Sequence, residues 1–468
     1  MKHYLFTILL LSFAYLSPGQ NCSCEDKLKF VKTQIESNYA GHKDKVNTKT
    51  RKAYDAFSRD YLARARKVTK PPVCFALIHD WLKFFKDGHI QLAGNADNDA
   101  DSLVLKERMK NTETIDLSAE QMDQIQHSNI PVEGVYTYSD STYTIAIVQS
   151  KTEYRDFAGI IVSSKADTWK KGQVKLELKK TGNNTYSTIA YYRDHSYKVE
   201  DFTFDGTSFN DEWIKTGTSQ PHKNTAANPE KIQVKKVNDN TLYVQIGSFD
   251  GSNARAIDSV FKTSLFVLRS TPNLILDLRG NGGGSDFSYR PIVQWLYTGP
   301  ITRIGADVWC TPANTNGMRK MVLDNPDVPE DMKADVKKLV ADMEQNTGRF
   351  IQSNADDTLT IDYVEPNPHK VVVLIDRYCA SSAEQFLLVA GQSSKVTLMG
   401  ETTAGVLDYA NMRPSSTSPC KDIALYYATT RSRRIDMGLG IGNKGIKPNI
   451  ELAKDKDWVE EAVKYLAQ

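Results

Sequence analysis

Apolar residues fall three or four apart across 27–39, 48–67 and 73–85, the spacing that lines one face of a helix. A helical domain is therefore expected over 21–95. It closes on FFKDGHIQL (84–92), where Asp87-Gly88 marks a turn and His89 opens a short alternating strand. A polar linker is expected over 96–129. Short apolar runs then recur at 134–136, 143–148, 159–162, 174–178 and 187–192, separated by polar turns, so 130–225 reads as a small all-β barrel or sandwich. From 226 to 468 the pattern becomes α/β. Strands at 241–246, 273–278, 370–375 and 423–428 alternate with helices near 254–269, 289–296, 384–390 and 458–466, and a charged amphipathic helix is inserted at 329–345.

The run KVVVLID (370–376) has no polar alternation, as expected of a strand buried on both faces. It breaks into Arg377-Tyr378-Cys379-Ala380-Ser381-Ser382-Ala383 and resumes as a helix. Serines at such a junction have two uses. A hydroxyl can cap the orphan N–H groups of the helix, or it can be held at the sheet end as a nucleophile beside N–H donors for an oxyanion. The loop Arg279-Gly280-Asn281-Gly282-Gly283-Gly284 follows another strand and exposes backbone N–H groups. It lacks the Lys-Ser/Thr of a phosphate loop and the spacing of a dinucleotide fingerprint, leaving an oxyanion hole among its possible uses.

Composition narrows the partners. Charged residues make up 25% of the chain and the 59 basic against 57 acidic residues leave a net charge of +2, so nothing favours nucleic acid. Lys2 and His3 precede an apolar run of about twelve residues, Leu5 to Leu16, ending in Ser17-Pro18-Gly19-Gln20. Residues 1–20 read as a secretory signal peptide, too short for a membrane span of roughly twenty residues. An exported protein is expected, periplasmic or extracellular, with outer-membrane association as a variant because Cys22 follows the leader. Six cysteines permit disulfides. The expected pairs are Cys22 or Cys24 with Cys74, and Cys310 with Cys420, leaving Cys379 free. No His/Cys cluster has metal-ligand spacing, so neither a metal nor a cofactor is expected.

In order and spacing, NLILDLRGNGGG, VVVLIDRYCASSAEQFLLVAG, VTLMGETTAG and KGIKPNIEL resemble the carboxy-terminal processing (tail-specific) serine peptidases. FFKDGHIQL is similar to the DGH segment of the tricorn-like and retinoid-binding-protein-like branch. The resemblance implies a crotonase-like (ClpP-like) α/β peptidase core, preceded by the helical domain and the inserted small all-β domain. It also implies an acyl-enzyme on Ser381, with His89 as general base and oxyanion donors from Ser382 and from Gly283 or Gly284. The lysine of Ser/Lys relatives falls on Val406, which disfavours that mechanism. The supporting glutamate falls on Gly442, which makes Asp436 the nearest substitute, and the auxiliary serine of some relatives is Gly88. The β-rich middle does not resemble the PDZ domain common in relatives. The reading is an exported serine endopeptidase acting on protein or peptide. Its rival is an inactive peptidase-like protein that binds a peptide, glycan or apolar ligand. Oligomeric state has no signature in the sequence.

Overall fold

A computed structural model describes residues 22–94, 102–218, 232–326, 330–415 and 422–468, together with 328, 418 and 420. The leader 1–20 and the expected boundary at 225/226 lie outside them. Among the described residues, no helix is long and apolar enough to cross a membrane.

The N-terminal segment forms helices Cys24–Asn38, Arg51–Ala65 and Pro71–Leu82. Ser23 caps the first by accepting from Asp26 N–H, and Pro71 opens the last at a position where its missing N–H costs nothing. Leu28, Ile35, Tyr54, Ile78, Trp81 and Phe85 are fully buried between them. Cys24–Cys74 ties the first of these helices to the last, and Cys22–Cys420 joins the N-terminal segment to the far end of the chain, 398 residues away. The expected Cys310–Cys420 pair is thus corrected. Cys420 packs in the same cluster as Cys24 and Cys74, whereas Cys310 is a free thiol buried with Val308 and Met343.

The segment expected to be a polar linker carries two helices, Ser102–Asn111 and Ala119–Gln126. The second starts in a capping box, Ser118 and Gln121. Its Met122 and Ile125 lie against Ala146, Val148 and Ile160, one face of an eight-stranded antiparallel sheet spanning 134–215. Tyr136, Leu178, Phe202 and Phe209 fill the other face.

The α/β core is a six-stranded sheet in the order Ile232–Asn238, Thr241–Ile246, Asn273–Asp277, Lys370–Ile375, Val396–Gly400, Ile450–Glu451. All neighbours are parallel except the first hairpin. Its two faces feed separate cores. Val371, Val373 and Ile375 pack with Phe386 and Trp295, and Val372 and Leu374 pack with Trp458 and Leu466. This two-sided burial is the reason for the unbroken apolar run.

A second sheet connects the N-terminal segment to this core. The strand Ile423–Ser432 pairs at its start with Gln91–Gly94, at its end with Ala306–Trp309, and along its other edge with Tyr409–Pro414. Pairing Gln91 with Tyr426 fixes the DGH turn against the core.

Candidate active site

The serine turn is clamped to the glycine loop. Asp376, just past the central strand, accepts from Gly280 N–H and Tyr378 N–H at 3.0 Å each, and Ala380 N–H donates to Asn281 O at 3.1 Å. Cys379 is fully buried, donates to Leu278 O, and has its thiol pushed well above the usual range by burial, so it is no thiolate nucleophile. Ser381 then adopts φ 54°, ψ −120°, a conformation side chains rarely tolerate. Strain of this kind persists only where neighbours over-determine it. Here the neighbour is Glu384, buried at 0% exposure. Its Oε1 accepts from Thr403 Oγ1 (2.5 Å) and Gly405 N–H (2.7 Å), and its Oε2 from Val406 N–H (2.7 Å) and Ser381 N–H (3.3 Å).

His89 arrives from the other side. Lys86 takes a left-handed φ of 46°, and Asp87 closes the turn by accepting His89 N–H at 2.9 Å and Tyr39 O–H at 2.5 Å. Burial pushes the Asp87 carboxyl above the usual carboxylate range. His89 itself is 7% exposed. Its Nε2 lies 3.0 Å from Ser381 Oγ, and its Nδ1 lies 2.5 Å from the backbone carbonyl of Tyr409. A carbonyl oxygen can only accept, so Nδ1 carries the proton and the Nε2 lone pair faces the Ser381 hydroxyl. Tyr409 is anchored in turn by its own hydroxyl, which donates to Asp44 at 2.8 Å.

The two serines are told apart by their partners. Ser382 Oγ donates to Gly284 O at 3.1 Å and makes no hydrogen bond to the imidazole. Its backbone N–H, at the first position of the helix Ser382–Ala390, has no acceptor among the described residues. Gly283 N–H is occupied, donating to Asn281 Oδ1 at 3.0 Å, whereas Gly284 N–H has no acceptor there. A Cβ on Gly283 would come within 2.6 Å of Ala380 O and 2.7 Å of Ser382 N, at φ 95°. The loop therefore reaches the serine turn only because that residue is glycine.

Asp436 is not brought to this group, which corrects the expectation of a side-chain acid. Its exposed carboxylate is held by both terminal nitrogens of Arg431 at 2.7 Å, in an ion pair that also includes Asp44. The place of the missing glutamate is taken up otherwise, with Gly442 N–H donating to Asp408 Oδ2 at 2.7 Å. Val406 packs on Gly88, where a Cβ would meet it at 2.9 Å. The Tyr409 carbonyl and the Glu384 anchor are the partners that sequence reasoning missed. A backbone acceptor has no residue-type signature, but the carboxylate following Ser-Ser-Ala was visible as the third helical position of a capping pattern. No His, Cys, Asp or Glu group among the described residues is arranged to hold a metal ion.

Residues 240–452 match the model of peptidase family S41. This segment is a family S41 peptidase core. A crystal structure of a CPAF point mutant superposes with a TM-score of 0.50 at 12% identity, covering 95% of this chain and 96% of that one. Mature CPAF gives 0.49 at 12% over the same shares, and the photosystem II D1 C-terminal processing protease gives 0.38 at 11%, covering 96% and 98%. At such identities only the fold is at issue, and only the first of these superpositions argues for it. No curated protein sequence matches the chain. The S41 family consists of serine-type hydrolases, and the Ser381 turn, the glycine loop and Tyr409 all lie within the matched segment. His89 lies outside it and is delivered by the Gln91–Gly94 pairing.

Proposed function

We propose that the protein is an exported serine endopeptidase. The observation that carries this reading is the 3.0 Å contact between Ser381 Oγ and an imidazole whose Nδ1 is committed to a carbonyl. In the proposed cycle His89 Nε2 takes the Ser381 proton as Oγ bonds to the scissile carbonyl carbon. The oxyanion is held by the N–H groups of Ser382 and Gly284, the donors left without acceptors, rather than by Gly283. The imidazolium then gives its proton to the departing amine as the C–N bond breaks, leaving an acyl ester on Ser381. Water, deprotonated by His89, resolves it to acid and free serine. The Tyr409 carbonyl fixes the tautomer and ring orientation but brings no full negative charge to the imidazolium, so this cycle runs without the carboxylate of a Ser-His-Asp triad. Export is supported by the leader-like 1–20 and by two disulfides, bonds that persist in oxidising compartments.

The test is turnover of an unfolded fluorogenic protein by the wild type, Ser381→Ala and His89→Ala. Cleavage by the wild type and none above background by either variant is expected. Equal cleavage by wild type and Ser381→Ala contradicts the assignment.

A further inference from the structure

Arg434 is a buried cation that the proposed cycle does not use. It sits in the short turn Arg433–Ile435 that ends the strand Ile423–Ser432, the strand whose two edges position His89 and Tyr409. Its side chain crosses to the serine helix, where Nη1 donates to Gln385 Oε1 at 3.1 Å, one turn beyond Ser381. The residue is 6% exposed, its Nε is buried with no partner, and no ion pair to it occurs among the described residues. Asp408, Asp286 and Glu384 are close enough for their charge to act on it, yet burial dominates and pushes the guanidinium below its usual range. Its neighbour Arg433, by contrast, is fully engaged with Asp307 and Asp356.

With Nη1 taken by Gln385, the edge without partners is the one formed by Nε and Nη2, and that edge presents two parallel N–H groups matching the two oxygens of a carboxylate. Nη2 makes no hydrogen bond or ion pair among the described residues. Exposed Met437 and Leu439 follow in the same loop, which closes back through Leu439 N–H on Arg434 O at 2.8 Å. The site is thus a buried cation with an unpartnered fork beside the serine helix, in a loop that carries exposed apolar side chains.

Resting on the peptidase reading, we propose that Arg434 is a specificity residue that takes the side-chain carboxylate of a substrate Asp or Glu close to the scissile bond. A buried cation held in no direct ion pair is unfavourable, and the substrate would supply a carboxylate in contact with it at the step where selection matters. A site built to pair a polar group rejects an analogue lacking it far more strongly than an apolar pocket rejects a shape change.

The test uses peptides blocked at both ends, in which Glu is scanned through the three positions on each side of a neutral cleavage site and compared with Gln. The wild type should favour Glu over Gln at one position by about tenfold or more in kcat/KM, the order of one well-made polar contact. In Arg434→Met the ratio should fall to near unity, while Arg434→Lys keeps part of it. Arg434→Met should melt no lower than the wild type, since it removes an unpaired buried charge. A wild type indifferent to Glu at every position, or an unchanged ratio in Arg434→Met, overturns the proposal. Equilibrium binding of the same peptides to Ser381→Ala gives an independent reading. Selective binding of the Glu peptides that disappears in Ser381→Ala/Arg434→Met supports the carboxylate site even if the wild type hydrolyses nothing, a result that would count against the peptidase reading alone. Equal binding of Glu and Gln peptides by Ser381→Ala overturns it.

Discussion

Replacing Glu384 by glutamine should loosen the serine turn without changing its shape. The carboxylate accepts four hydrogen bonds, two on each oxygen. A carboxamide has one acceptor oxygen, so its NH2 must face donors on one side. The least costly orientation turns the NH2 toward Thr403 Oγ1, which can rotate to accept but already accepts from Ile446 N–H. Gly405 N–H is then left facing a donor. Losing one charge-assisted bond, about 2 kcal/mol, and reducing the other three to neutral strength, about 0.5 kcal/mol each, gives a loss of about 3.5 kcal/mol. For a core of this size that corresponds to a fall in Tm of about 7–14 °C. Activity should suffer more than stability. Ser381 N–H is the longest of the four bonds and holds a strained backbone, and a displacement near 1 Å at a reacting atom costs about a hundredfold in rate. Thermal melting and turnover at a temperature where both proteins are folded measure the two effects separately. A Glu384→Gln protein that melts within about 2 °C of the parent and turns over at the parental rate would refute the role of this anchor.

Gly283→Ala should reduce turnover by about a hundredfold or more and lower the Tm, because its Cβ would fall 2.6 Å from Ala380 O and 2.9 Å from Ser381 Cβ. An active Gly283→Ala protein would mean that the loop can retreat. Lys175 concerns the β-rich domain. It is 4% exposed between the rings of Tyr143 and Trp169, each 4.1 Å away, and burial pulls its pKa down to about 7 from 10.5. Between those values the unfolded chain holds more protons than the folded one, so stability rises with pH, and below about 7 the whole cost of burying the charge remains. Lys175→Met should therefore raise the Tm at pH 6, by an amount that shrinks toward pH 10. A pH-independent difference would contradict this.

What the sequence discloses depends on whether a feature is local. The unbroken run 370–376 and the glycines at 280–284 announce a doubly buried strand and a close backbone approach, and both are found. The helices Ser102–Asn111 and Ala119–Gln126 were hidden because each buries only a narrow stripe, leaving a composition that resembles a linker. The strand Tyr197–Thr203 was hidden for a related reason, since only Val199 and Phe202 of its seven residues are buried. At the site, Ser381 and His89 carry distinctive side chains, but the acceptor behind His89 is a main-chain carbonyl that any residue could supply. Asp436 was suggested by proximity along the chain, which says nothing about the Arg431 that holds it. The Cys22–Cys420 bridge spans 398 residues, a separation at which spacing carries no information.

The central claim is that Ser381 is the hydroxyl activated by His89. Treating the folded protein with a fluorophosphonate and mapping the adduct by peptide mass spectrometry tests it most directly. The account predicts a single stoichiometric adduct on Ser381, and labelling of the His89→Ala protein slowed by two orders of magnitude or more, about the contribution of a positioned general base. An adduct on Ser382 or elsewhere, or undiminished labelling of Ser381 in His89→Ala, would contradict it.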